Sequence, residues 1–185
     1  MMLTCVAMLR GINVSGQKPI LMEHLRASFE TLGFHEIKTY IQSGNIIFQS
    51  AKGTPTRLSK QITELILRDF GFSVPVLIKT SKEMKKIVEN NPFLNDKSVD
   101  LSRLYVTFLS ELPKKTVLKN LAALASKRDQ FHIIDQEIYL YCPDGYGNTK
   151  LSNNAFEKIL SVGATTRNWN TVNKLCDMAS EISLV

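Results

Sequence analysis

Leu3-Thr4-Cys5-Val6-Ala7-Met8-Leu9-Arg10-Gly11-Ile12-Asn13-Val14-Ser15-Gly16 decides how this chain is read. Leu3 to Leu9 is apolar at nearly every position, as in a strand covered on both faces. Arg10 to Gly16 then places a cation, an amide and two glycines in one turn. A helical pattern starts near Ile20, so the turn is a strand-to-helix loop. Near the other end, Thr165-Thr166-Arg167-Asn168-Trp169-Asn170 repeats the combination of Arg and Asn between a short strand and a helix. Whatever the protein binds is expected near these two segments.

Working outward, Leu21, Met22, Leu25, Phe29 and Leu32 recur at helical spacing, and Gly33 stops that helix. Ile37 to Gln42 and Asn45 to Gln49 read as strands around a Ser43-Gly44 turn. Thr54-Pro55 opens a helix with the stripe Leu58, Ile62, Leu65, Ile66 and Phe70, and Gly71 ends it. Val74 to Lys79 is the next strand. Thr80 and Glu83 then form a capping box for a helix carrying Met84, Ile87 and Val88, broken by Asn90-Asn91-Pro92.

After Asp100 the order returns. Leu101 to Leu109 is a strand, and Val117, Leu118, Leu121, Leu124 and Ala125 mark a helix. Phe131 to Asp135 and Glu137 to Cys142 form a hairpin. Leu151, Ala155, Phe156, Ile159 and Leu160 mark a further helix. Ala164 to Thr166 is a short strand, and Val172, Leu175, Cys176, Ala179 and Ile182 mark the last helix. Each half is βαββαβ plus one helix. That is the α+β, ferredoxin-like order: a four-stranded sheet with two helices on one face. The expected units are 1–92 and 100–185, joined by a link at 93–99.

The chain has 185 residues, 44% hydrophobic and 22% charged, the composition of a globular protein. No apolar run approaches the ~20 residues that span a bilayer, and the first residues lack a basic n-region and a cleavage site. Cys5, Cys142 and Cys176 are far apart in apolar contexts, which fits reduced thiols and a cytoplasmic setting. The net charge is +6 and uneven: up to Asn95 there are 12 Lys+Arg against 7 Asp+Glu, and from Asp96 onward 11 against 10. A basic first half favours acidic partners, either a phosphate-bearing small molecule or nucleic acid.

The candidate ligand-binding residues are Arg10, Asn13, Ser43, Asn45, Lys150, Arg167, Asn168 and Trp169. Lys150 closes Gly145-Tyr146-Gly147-Asn148-Thr149-Lys150, which either holds an anion at a helix N-terminus or needs its glycines for backbone shape. It does not match the P-loop pattern. Asn168 or Thr166 is placed to cap the last helix. Trp169 either stacks on a ligand or packs, the commoner role. His24, His35 and His132 are isolated, so the pattern supports neither a metal site nor a catalytic triad; no cofactor is expected, and catalytic residues stay unassigned. Tyr105, Tyr139 and Tyr141 raise the idea of RNA stacking on the sheet, but the aromatic pattern of RNA-recognition strands is missing and the first unit offers only Phe48. Covered sheet faces are expected instead.

Four segments together, Leu9-Arg10-Gly11-Ile12-Asn13-Val14, Thr39-Tyr40-Ile41-Gln42-Ser43-Gly44-Asn45, Asn91-Pro92-Phe93 and Thr166-Arg167-Asn168-Trp169-Asn170-Thr171-Val172, resemble a bacterial family known as domain of unknown function 1697. The resemblance implies two α-β plait units and supplies no reaction. Two functions are therefore carried forward. One is a binder of a nucleotide, phosphorylated ligand or nucleic acid through the Arg/Asn/Lys loops. The other is a small-molecule enzyme using the same polar groups, with an interaction protein as a third. The sequence leaves the oligomeric state open.

Overall fold

The first strand, β1 (Leu3–Leu9), is central to its sheet and hidden on both sides: Cys5, Val6, Ala7, Met8 and Leu9 are all fully buried. The computed structural model describes residues 2–14, 16–114, 121, 124 and 128–183. It divides into two compact units, Met1–Lys86 with Lys174–Val185, and Ile87–Asn173.

In the first unit β1 is followed by α1 (Met22–Thr31), β2 (His35–Tyr40), β3 (Asn45–Ser50), α2 (Pro55–Phe70) and β4 (Val76–Thr80). The strands pair antiparallel in the order β2-β3-β1-β4. Local signals place the helices. Thr54 accepts from Arg57 N with Pro55 in the first turn of α2, and Gly71 closes it at φ 79°. Cys5, Ala7, Leu9, Ile46 and Phe48 on one face of the sheet pack against Leu25 and Phe29 of α1 and Leu58, Ile62 and Ile66 of α2. Phe29 meets Phe48 edge-on at 5.6 Å between ring centroids. Truncating such a ring costs about 3–5 kcal/mol.

The other face of this sheet carries Val6, Met8 and Ile47, which are equally buried. On that face Gln49 Nε2 donates to the carbonyl of Ile182 at 3.1 Å. Ile182 lies in the last helix of the chain, α5 (Trp169–Ser183), whose residues from Lys174 on belong to the first unit.

α3 (Ser81–Glu89) starts with the expected capping box: Thr80 N donates to Glu83 Oε2 at 2.7 Å, and Glu83 N donates to Thr80 Oγ1 at 3.2 Å. The second unit then holds β5 (Leu104–Leu109), β6 (Gln130–Ile134), β7 (Glu137–Tyr141), α4 (Asn153–Leu160) and β8 (Ala164–Asn168). Its sheet order, β6-β7-β5-β8, repeats that of the first. The expected helix around Val117 to Ala125 falls largely outside the described residues, though Leu121 is buried with Ile138, Leu140 and Phe156.

On the opposite face of the second sheet, Val106 and Phe108 are fully buried and Tyr139 is 1% exposed. Tyr139 donates its hydroxyl to Ile87 O at 3.0 Å. The ring of Phe93 lies 6.1 Å from Tyr141 and 4.9 Å from His132. The chain from Ile87 to Phe93 therefore covers the aromatic face. Three strands differ most from the sequence expectation. β5 starts at Leu104 and not at Leu101, because Leu101–Arg103 forms a 3-10 turn capped by Asp100, which accepts from Ser102 N. β2 starts earlier and ends at Tyr40, because Glu36 at φ 49° makes a bulge and Ile41 at φ 49° turns the chain. β4 starts at Val76, after Pro75, which cannot donate to a ladder.

Candidate functional site

The Arg10 loop leaves the C-terminal end of β1, where three segments are tied together. Arg10 N donates to Pro75 O at 3.0 Å and Leu9 N to Gly44 O at 2.8 Å. Asn13 adopts φ 54°, a conformation Asn tolerates. Its amide nitrogen donates to Ile20 O and to Gln42 O, both at 2.9 Å, and its Oδ1 accepts from Ile20 N at 2.8 Å. Asn13 thus bridges the loop to the 41–44 turn. Asn45 is fully buried and donates to Tyr40 O and Ser43 Oγ. Gly44 is forced: a Cβ there would lie 2.7 Å from Leu9 Cβ, and its φ is 75°. The structure brings Asn13, Ser43 and Asn45 together around Gly44 as a brace of backbone groups. Arg10 is half-buried beside it. Ser15 lies outside the described residues.

Lys150, Arg167, Asn168 and Trp169 lie in the second unit. Asn168 Oδ1 accepts from Thr171 N at 2.8 Å, so Asn168 caps α5. Trp169 is 5% exposed and presents little ring to solvent. Arg167 is half-buried on β8, and loss of solvent pushes its guanidinium down to about 10, which leaves it cationic at neutral pH. Lys150 is exposed. Beside these, Thr166, which the sequence offered only as an alternative cap of the last helix, is a hub. It donates to Asn153 Oδ1 at 2.6 Å, accepts from Tyr146 OH at 3.0 Å, and lies 2.7 Å from the Thr107 hydroxyl. Tyr146 in turn stacks on Tyr105 at 5.2 Å.

The opposite end of the first sheet holds a cleft of about 700 Å³. Leu3 pairs with Ser50 and Cys5 with Thr80, so the start of β1 meets the ends of β3 and β4 here. Thr4, Gln49, Thr80, Ser81, Lys82, Lys85 and Ser183 contribute its polar lining, and no Asp or Glu is among the described residues that line it. Glu83, the acid between the two lysines, is turned back into the capping box. The cleft offers hydroxyls, an amide and two cations, which suits an anion. Sequence reasoning missed it because its residues come from four separate segments. The one legible signal was the run Lys79 to Lys86, with four cations and one acid.

A second concavity, about 320 Å³, sits at the same strand ends, lined by Phe34, Ser50, Lys52, Arg57 and Gln61 among others. Among the described residues Lys52, Arg57 and Lys82 make no ion pair. The buried thiols behave differently from a reactive centre. Loss of solvent and then Glu83 push Cys5 up to about 12. Loss of solvent and then Asp129 push Cys142 up to about 11. Both stay protonated at neutral pH.

Among known sequences, the model of a family described as Protein of unknown function (DUF1697) matches residues 2–139. No curated protein matches the chain. A solved structure, the conserved bacterial protein SP0830 from Streptococcus pneumoniae, is similar over 97% of this chain and 99% of its own, with a TM-score of 0.77 and 24% identity. That likeness shows the fold. Among the described residues no helix is long and apolar enough to cross a membrane, and no group of three or more His, Cys, Asp or Glu could hold a metal ion.

Proposed function

We propose, from the premise that the chain belongs to the DUF1697 family of proteins of unknown function, that it binds a phosphate-bearing ligand in the Lys82–Lys85 cleft of its first unit. The observation that carries the reading is the lining of that cleft: two lysines, four hydroxyl residues and an amide, with no Asp or Glu among the described lining residues. A concavity of this size suits a nucleotide. Binding is favoured over catalysis because the thiols of Cys5 and Cys142 are held protonated and so are poor nucleophiles. Of the cations expected from the sequence, Arg10 is at the far end of the same sheet and plays no part in this cleft.

Calorimetric titration with ATP and with inorganic pyrophosphate tests the proposal. Lys82→Ala/Lys85→Ala lowers affinity at least tenfold, a loss of about 1.4 kcal/mol, while Arg10→Ala changes it less than twofold. Unchanged affinity in the double variant refutes the cleft. A larger loss for Arg10→Ala moves the site to the loop end.

A further inference from the structure

The cleft has a companion, and the two share a strand end. Leu3 and Thr4 of β1 pair with Ser50 and Gln49 of β3. Thr4 and Gln49 line the larger cleft, whereas Ser50 lines the smaller groove. Side chains alternate along a strand, so the two concavities open on either side of one sheet edge, one residue apart in the ladder.

Charge follows the same edge. The stretch from Lys52 to Lys60 contains Lys52, Arg57 and Lys60 and no acid. The stretch from Lys79 to Lys86 contains four lysines and Glu83, which is held in its cap. Of the twelve cations of residues 1–95, Lys52, Arg57, Lys82 and Lys85 line the two concavities. Part of the basic excess of the first half is therefore gathered where the concavities lie. A single small phosphate would need only one of them.

We propose that the ligand is the phosphodiester backbone of a single-stranded nucleic acid, running across this strand end from the Lys52–Arg57 groove to the Lys82–Lys85 cleft. The inference rests on the proposed phosphate-binding cleft and names its ligand class. Concavities of about 320 and 700 Å³ admit nucleotide units and are too small to seat a duplex. Phe34, the aromatic ring named in the groove, is 7% exposed and packs on Phe48 at 4.4 Å, so it offers no stacking platform for a base. Recognition is accordingly by charge and tolerant of sequence, and RNA and DNA strands bind alike. It is also independent of the sheet faces, which are covered.

The magnitude follows from counterion release. Four phosphate contacts on a single strand give a salt slope of about −2.8, or roughly a 50-fold loss of affinity between 50 and 200 mM salt. Fluorescence anisotropy with labelled mixed-sequence 12-mers of RNA and of DNA reads this directly. Lys52→Ala/Arg57→Ala and Lys82→Ala/Lys85→Ala each reduce the slope by about 1.4, while the charge-matched control Lys97→Ala/Lys158→Ala in the second unit leaves it unchanged. Pyrophosphate binding falls only in the cleft variant. If the groove variant binds the oligonucleotides like wild type while the cleft variant loses pyrophosphate, the cleft reading survives and the nucleic-acid inference is overturned. If the control weakens binding as much as the groove and cleft variants, binding reflects net charge alone and the inference also fails. If neither pyrophosphate nor oligonucleotide responds to the cleft variant, the cleft reading itself falls. Far-UV circular dichroism of each exposed double variant checks that the fold is intact.

Discussion

Replacing Asn13 by Ala removes a brace and not a ligand group, so its effect appears in stability. The two half-buried hydrogen bonds, to Ile20 O and from Ile20 N, contribute about 1 kcal/mol each. The exposed bond to Gln42 O is partly replaced by water and contributes about 0.5 kcal/mol. Ala at φ 54° adds roughly 1 kcal/mol that Asn avoids. The expected loss is about 3.5 kcal/mol. In a chain of 185 residues that lowers Tm by about 7–14 °C. Differential scanning calorimetry of wild type and variant reads it. Asn13→Asp makes a sharper test. It keeps the acceptor for Ile20 N but sets a carboxylate against two carbonyl oxygens, so it is at least as damaging as Ala at pH 7 and less so at pH 4. A Tm shift under 2 °C for Asn13→Ala, together with lost ligand affinity, would refute the reasoning and return Asn13 to a binding role.

Two other outcomes follow from the same structure. Thr166→Val leaves Tyr146 and Asn153 without their shared hydroxyl and costs about 1–3 kcal/mol in urea unfolding, whereas Thr166→Ser is close to wild type; equal midpoints for Val and Ser would show that the hub contributes nothing. The fold holds the Cys5 proton more tightly than the unfolded chain does, with a pKa of about 12 against 9.0, so its contribution is complete below pH 9 and is lost as pH rises from 9 toward 12. Tm therefore falls above pH 9, and the fall is shallower in Cys5→Ala; parallel curves for the two proteins would contradict this.

The fold was legible because local and global signals agree. The Thr54-Pro55 start, the Gly71 stop and the Thr80–Glu83 box each act within four residues, so their chemistry reads directly off the chain. The limits of β2 were not legible. Ile41 is β-branched and apolar, which reads as strand, yet it sits half-exposed in a left-handed conformation held by the neighbouring brace. The candidate site shows the same divide. Asn is suited both to ligands and to left-handed turns, and only the partners of Asn13 separate the two roles. Thr4, Gln49, Thr80 and Lys85 meet only through strand pairing, with Thr4 and Lys85 81 positions apart, which no spacing rule foretells.

The carbonyl that receives the Gln49 amide has a consequence for how the chain is made. Ile182 emerges from the ribosome 96 residues after Lys86, the end of the first stretch of its unit. At roughly 5–20 residues per second, the first sheet waits about 5–19 s for the carbonyl that receives Gln49 on its second face. During that interval the face that carries Val6, Met8 and Ile47 lacks that contact, while the second unit is still being synthesised. The first unit is thus begun first and completed last, and a ribosome stalled before α5 would carry a nascent chain whose opening strand is paired but not yet sealed.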